Sequence, residues 1–139
     1  GLTVVTNSLM VAMQFLDTPR IQVLMPSGRV RPDSIALVSQ PQSVPDINLN
    51  IGFFGARGVT FEAGITEINP EEAEIKRALM ARCITTMIVV DGGKWGEVAP
   101  YTQATPAQVA RIITTTDAPL HMVEQFRNAG IIVDQVENE

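Results

Sequence analysis

The sequence predicts an α/β fold, a mostly parallel open sheet with helices on both faces. Short apolar segments rich in β-branched residues alternate with helical segments, as in folds built from strand–helix–strand units. Glycine turns follow several of the predicted strands. The segment 64–94 shows the whole pattern once, because a turn, a helix, a buried strand and a glycine loop ending in lysine follow one another there.

The helix of this segment has clear start signals. Asn69 is a good N-cap and Pro70 suits the first helical position. Glu71 and Glu72 follow in the first turn, where the helix dipole favours carboxylates. The apolar side of the helix is predicted to extend to Cys83, which we expect to be a buried structural thiol rather than a nucleophile.

The remaining elements follow from shorter patterns. Residues 85–90 are predicted to be a strand buried on both faces. Asp117 is predicted to cap a helix, and Asn7 or Ser8 an earlier one. The segment 29–45 is predicted to be rich in loops because prolines interrupt it. Further strands are predicted at 2–6, 21–25, 51–54, 98–101, 109–116 and 131–136.

Composition excludes several classes of protein. The chain has 139 residues, enough for one domain with a core, and a net charge of −5, which argues against a nucleic-acid surface in this segment. A single cysteine excludes an internal disulfide and fits a cytoplasmic location. Apolar runs are too short to span a membrane. We predict no cofactor and no metal, and a solvated acidic end at 137–139.

Candidate ligand-binding residues lie at predicted strand ends. Glycine turns offer backbone N–H groups, cations offer charge to an anion, and amides or hydroxyls suit sugar hydroxyls. These groups meet only if the strands are neighbours in the sheet. The alternative is that the glycines merely form turns and Lys94 points to water. The candidates are Thr6, Asn7, Ser8, Gly28, Gly55, Ala56, Arg57, Gly58, Asp91 and Lys94.

Several of these motifs occur in an order that resembles one known family. They are TVVTNSL, SGRV, GARGV, GITEINPEEAEIKRALM and VVDGGKWGEVA, at 3–9, 27–30, 55–59, 64–80 and 89–99. The order is similar to that of the DeoR-family sugar-sensing domain, the C-terminal effector domain of bacterial transcriptional repressors. The family usually has D-S-S-K-F where this chain has DGGKW, and often two glycines where Ser27 and Gly28 stand.

The resemblance implies what the chain does. It implies an effector-binding domain over residues 1–139 that senses a phosphorylated sugar, forms a homo-oligomer, and contacts DNA only through a helix-turn-helix domain absent from this chain. An upstream strand with a phosphate-binding loop is also implied, so we expect an N-terminally truncated fragment with poor phosphate affinity. A predicted strand begins directly at Leu2, as it would inside a longer polypeptide, and this supports that expectation. A compact protein with a processed N-terminus is the alternative.

The same domain resembles ribose-5-phosphate isomerase, which raises an alternative function. That enzyme has acidic residues where Phe54 and Arg57 stand, and Lys76 falls at its catalytic glutamate in an ungapped count from Asp91. Isomerisation needs a base, so we predict binding without catalysis and no catalytic residue. Lys76 remains either a ligand contact or the partner of Glu72 in a salt bridge.

Overall fold

The computed structural model describes residues 1–138 and divides the chain into two compact units, Gly1–Ile47 and Asn48–Glu139. Glu139, the last residue of the predicted acidic end, lies outside the described residues. In the described part of the chain, no helix has both the length and the apolar character to cross a membrane.

The first unit contains two small sheets and a short helix. β1 (Leu2–Val5) and β2 (Ile21–Leu24) pair in parallel, whereas β3 (Gly28–Arg31) and β4 (Ala36–Ser39) form an antiparallel hairpin. The hairpin corrects the prediction of a loop-rich segment from residue 29 onwards, because charged residues are tolerated on the short, mostly exposed β3 and Pro32 is tolerated in the turn that follows it. The short helix is α1 (Leu9–Met13).

The second unit is built on a four-stranded parallel sheet, whose strands lie in the order β11 (Ile132–Val136), β10 (Arg111–Thr115), β8 (Cys83–Val89) and β5 (Leu49–Phe54). This sheet confirms the predicted α/β class with a mostly parallel sheet, whereas helices on both of its faces stay a prediction. An antiparallel sheet accompanies it, in the order β6 (Gly58–Thr60), β7 (Gly64–Glu67) and β9 (Tyr101–Ala104). The helices of this unit are α2 (Pro70–Met80) and α3 (Leu120–Asn128).

The core of the second unit lies on one face of the parallel sheet. Met80 of α2 and Phe126 of α3 pack in the same cluster as Ile88 and Ile112. Side chains of a strand alternate between faces, so the neighbours of Ile88 point the other way, and Val89 is 46% exposed. The prediction that this strand is buried on both faces is therefore wrong for one face.

Helix α2 ends earlier than predicted. Its last residue is Met80, and Cys83 begins β8 instead of lying on the helix. An apolar residue fits a helix face and a strand equally well, so the pattern did not separate the two. The half-buried Cys83 thiol donates a hydrogen bond to the carbonyl oxygen of Leu79 at 3.3 Å, and burial raises the pKa of this thiol.

Two further element boundaries differ from the prediction. The strand expected at 98–101 is β9, which starts at Tyr101 directly after Pro100 and pairs with β7. Proline has no N–H to donate to a ladder and is placed just before the strand. Helix α3 has Pro119 rather than Asp117 as its N-cap residue, and Pro119 provides no side-chain cap.

Candidate functional site at the strand ends

The loops that follow β5 and β8 are neighbours at the carboxyl edge of the parallel sheet. Phe54 of β5 lies opposite Ile88 of β8 in the parallel register. The turn after β5, with Gly55 to Gly58, therefore adjoins the loop after β8, with Asp91 to Lys94. This edge is where open α/β sheets bind ligands.

The loop after β5 presents a backbone donor and a cation. Among the described residues, the N–H of Ala56 has no hydrogen-bond partner, whereas the N–H of Arg57 donates to the carbonyl oxygen of Thr66 at 2.9 Å. Arg57 is exposed, and its guanidinium makes no ion pair with any residue that the structure describes. An adjacent free N–H and guanidinium suit an anionic oxygen.

The two glycines of this loop, Gly55 and Gly58, differ in how tightly their surroundings pack. A Cβ at Gly58 would lie 2.2 Å from the carbonyl oxygen of Glu97, so only glycine fits the tight packing there. A Cβ at Gly55 would have its nearest neighbour, the carbonyl oxygen of Val89, at 3.9 Å. Gly58 is thus a packing residue, whereas the space beside Gly55 is open.

Lys76 links α2 to this loop. Its ammonium nitrogen lies 2.8 Å from Oε2 of Glu67 and 3.2 Å from the carbonyl oxygen of Gly55. Glu67 is buried, and its Oε1 accepts from the N–H of Ile68 at 2.9 Å. The salt bridge predicted between Lys76 and Glu72 is therefore replaced by one with Glu67, because the tertiary packing brings the end of β7 closer to the ammonium.

The glycine loop after β8 uses its own N–H groups. Gly93 donates to Oδ1 of Asp91 at 2.9 Å, and Lys94 and Trp95 donate to carbonyl oxygens of the same turn. The N–H of Gly92 donates to the hydroxyl of Thr115 at 2.7 Å. With these N–H groups engaged, the loop offers a ligand the side chain of Lys94 rather than a set of backbone donors.

Gly92 also fixes the position of this loop against the loop after β10. A Cβ at Gly92 would lie 2.4 Å from Oδ1 of Asp117 and 2.7 Å from the backbone nitrogen of Ala118. Asp117, predicted as a helix cap, instead forms a short hydrogen bond with the hydroxyl of Thr115. The packing explains physically why a glycine stands at position 92.

The charges at this edge nearly cancel. The ammonium of Lys94 is 4.0 Å from Oδ2 of Asp91, and Lys76 is paired with Glu67. Arg57 is thus the cation with the least compensated charge at the edge, within the described residues. No group of three or more His, Cys, Asp and Glu in residues 1–138 is arranged to hold a metal ion.

The candidates in the first unit have local partners. The Thr6 hydroxyl accepts from the N–H of Ser8 at 3.1 Å, and the Ser8 hydroxyl accepts from Val11 as the N-cap of α1, which confirms the predicted cap. The Asn7 amide donates to the carbonyl oxygen of Leu37 at 3.4 Å. Their participation in one site with the second unit stays a prediction.

Gly28 has a packing role in the first unit. It begins β3 opposite Ser39, and a Cβ there would lie 2.1 Å from the carbonyl oxygen of Val38. A ligand contact at Gly28 also stays a prediction.

Sequence reasoning missed Glu67 and Gln103. The amide nitrogen of Gln103 donates to the carbonyl oxygen of Gly55 at 3.2 Å, so both residues act on the loop after β5. The signal for Glu67 was an acidic residue at the end of a short, otherwise uncharged segment. If such a segment is a buried strand, the carboxylate requires a cation nearby. No local pattern marks Gln103.

The fold and this edge define an open α/β domain whose loops gather at the carboxyl ends of the parallel strands. The sequence profile of the DeoR C terminal sensor domain matches residues 1–116, and the chain belongs to this family. The match confirms the resemblance found in the sequence.

Curated relatives of the chain are transcriptional regulators. It is 29% identical over 134 residues to the HTH-type transcriptional regulator GolR of Listeria innocua, covering 95% of this chain and 53% of GolR. It is 22% identical over 126 residues to the glycerol-3-phosphate regulon repressor of Escherichia coli, covering 89% of this chain and 50% of that protein. The chain thus spans about half the length of these relatives.

Proposed function

We propose that this chain is the effector-binding part of a DeoR-like repressor and binds a phosphorylated sugar or related metabolite at the carboxyl edge of β5 and β8. The observation that supports the proposal best is the free N–H of Ala56, which is followed in the chain by the exposed Arg57. Together they offer two donors to a phosphate oxygen. The name of the glycerol-3-phosphate regulon repressor supports the same chemical class.

The polar groups around this pair suit the rest of such a ligand. Lys94 adds a second cation beside Asp91, whose side chain is 57% exposed and can accept hydrogen bonds from ligand hydroxyls. A site that combines few cations with several acceptors favours a polyhydroxylated monoanion or dianion over a polyphosphate.

We infer that the ligand is bound and not converted. Isomerisation of an aldose to a ketose requires a base that moves a proton between adjacent carbons. Both carboxylate oxygens of Glu67 are engaged, one by Lys76 and one by the N–H of Ile68. The alternative, a sugar-phosphate isomerase, requires Glu72 or Glu74 as the base, and a coupled assay on the wild type and on Glu72→Gln and Glu74→Gln variants tests it.

The regulatory step of the proposal is a population shift. A ligand changes DNA binding only by having different affinities for the DNA-competent and DNA-released arrangements. DNA is contacted by a separate helix-turn-helix domain in the cytoplasm, and a homo-oligomer matches symmetric operators. Ligand binding at the strand ends then sets which arrangement is populated.

Thermal-shift and calorimetric titrations test the proposal. The intact full-length protein is purified and titrated with sugar phosphates, the matching free sugars and inorganic phosphate. We expect a phosphorylated sugar to raise the Tm in a concentration-dependent manner, since a ligand that binds the folded state stabilises it. Failure of every phosphorylated compound to raise the Tm, on protein with intact secondary structure, would remove the proposed ligand class.

A further inference from the structure

Gln103 is placed by an irregularity in the antiparallel sheet. Ile65 pairs with Ala104 and Thr66 pairs with Thr102, which leaves Gln103 without an opposite residue. Such a β-bulge redirects one side chain, and bulges are frequent beside functional sites. The redirected side chain is buried, and Gln103 is only 2% exposed.

The amide of Gln103 helps to fix one peptide group of the candidate site. Its nitrogen donates to the carbonyl oxygen of Gly55 at 3.2 Å, and the ammonium of Lys76 donates to the same oxygen at 3.2 Å. A carbonyl oxygen has two lone pairs, so both are occupied. We call these two donors the Gly55 clamp.

The clamp determines where the next N–H points. A trans peptide is planar, and its C=O and N–H point in opposite directions. The chain contains no cis peptide in its described part. Holding the Gly55 carbonyl towards Lys76 and Gln103 therefore directs the Ala56 N–H away from them, and this is the N–H that has no partner among residues 1–138.

The buried position of Gln103 lowers the stability of the folded state. Its carbonyl oxygen Oε1 is buried and has no hydrogen-bond partner among the described residues. An unpaired buried acceptor lowers the stability of the folded state, and an apolar side chain of similar length would avoid this loss. A costly polar residue is expected where geometry matters more than stability.

We infer that Gln103 is a positioning residue of the effector site, which acts through the Gly55 carbonyl and does not touch the ligand. The inference rests on the proposed function, because it assigns the aligned Ala56 N–H to an anionic oxygen of the effector. It predicts that affinity for a phosphorylated sugar depends on an amide located behind the loop.

The test compares Gln103→Met with the wild type. Methionine keeps the length and burial of the side chain but removes the donor. We expect a changed amide chemical shift and faster amide hydrogen exchange for Ala56, together with a three- to tenfold weaker affinity for the phosphorylated sugar that binds the wild type best. The Tm should be unchanged or higher because the unpaired Oε1 is gone. Gln125→Met, on the exposed side of α3, is the matched control. It should change neither the amide signals of Ala56 nor the affinity for the phosphorylated sugar.

The outcomes distinguish the positioning role of Gln103 from the proposed binding of a phosphorylated sugar. If Gln103→Met leaves the Ala56 amide signal and the affinity at wild-type values, the positioning role is wrong even though the effector proposal stands. If the wild type binds no sugar phosphate, the proposed function fails, while the Ala56 amide signal still reports whether the clamp exists. A lower Tm with an unchanged Ala56 signal would assign Gln103 to packing alone.

Discussion

The ammonium nitrogen of Lys76 lies 2.8 Å from Oε2 of Glu67, and both side chains are largely removed from water, with exposed fractions of 19% and 9%. The pair joins the second turn of α2 to the end of β7, and the same ammonium reaches the loop after β5. Lys76 is therefore a structural salt-bridge partner, and its direct contact with a ligand stays a prediction.

Replacing Lys76 with methionine should destabilise the second unit. The substitution leaves the Glu67 carboxylate buried without its cation, and removing one partner of a buried pair costs about 3 kcal/mol or more. We expect the loss to appear as a lower midpoint in equilibrium denaturant unfolding. Glu67→Gln combined with Lys76→Met should recover part of it, because the unpaired charge is then absent.

Lys94→Met is the matched control for this prediction. Lys94 is more exposed than Lys76, and its distance of 4.0 Å from Asp91 is typical of a weak surface pair. Its removal should change the free energy of unfolding by less than about 1 kcal/mol. Equal losses in the Lys76 and Lys94 variants would contradict the assignment of the Glu67 pair as a buried structural link.

Local signals predicted the start of α2 correctly, whereas its end required tertiary information. The Asn69 side chain accepts from the N–H groups of Glu71 and Glu72 at 2.9 and 3.2 Å, as the sequence indicated. Nothing in the local pattern ends the helix at Met80, because the apolar character of Cys83 suits a strand equally well.

The candidate site was also only partly predictable from the sequence. The loops after β5 and β8 follow from the rule that parallel strands end at one edge. The Gly55 clamp does not, because Gln103 reaches that loop through a bulge formed by residues distant in sequence. Long-range register of this kind leaves no local periodicity to detect.

Arg57→Ala should weaken binding of a phosphorylated sugar. A hydrogen bond to a charged group contributes about 1.5–3 kcal/mol, which corresponds to roughly tenfold to a hundredfold in Kd. Arg57 is exposed, so the Tm without ligand should stay near that of the wild type. Arg20→Ala, which removes another exposed guanidinium, is the control for a general effect of net charge. Equal affinities of the Arg57 and Arg20 variants would exclude Arg57 from the site.

Gly92→Ala should destabilise the protein more than Gly55→Ala. The added methyl group at position 92 would approach the backbone nitrogen of Ala118 to 2.7 Å, whereas at position 55 its nearest neighbour is 3.9 Å away. Overpacking of this kind typically costs about 1–3 kcal/mol. Chemical denaturation of both variants measures the difference, and similar stabilities would show that the contact between the loops is adjustable.

The Cys83 thiol should react slowly with alkylating reagents in the folded protein. Burial raises the pKa of this thiol, so a smaller fraction is thiolate at a given pH than in the unfolded chain. Alkylation followed by mass spectrometry, with and without denaturant, should show a rate that keeps rising with pH after the unfolded chain has reached its plateau. Identical pH profiles would contradict the effect of burial.

The same pKa shift predicts the sign of a stability change. As pH rises through the pKa of the unfolded thiol, the unfolded state loses its proton first, so the free energy of unfolding decreases. The decrease continues until the pH passes the higher pKa of the folded thiol. Cys83→Ala should remove this contribution to the alkaline loss of stability, and an unchanged slope would show that other groups cause it.

Thr114→Val should destabilise the core through an unpaired indole. The Trp95 indole nitrogen donates to the Thr114 hydroxyl at 3.0 Å, and both residues are buried. Valine matches threonine in shape but leaves the buried N–H without an acceptor, which costs about 1–3 kcal/mol. Trp95 is the single tryptophan, so its fluorescence reports unfolding directly.

Two comparisons separate the lost hydrogen bond from other effects of Thr114→Val. Thr116→Val changes an exposed threonine and should alter the free energy of unfolding by less than about 0.5 kcal/mol. In a Trp95→Phe background, monitored by circular dichroism, Thr114→Val should cost less because no indole N–H remains to be stranded. If the cost of Thr114→Val were the same in both backgrounds, the hydrogen bond would contribute nothing beyond packing.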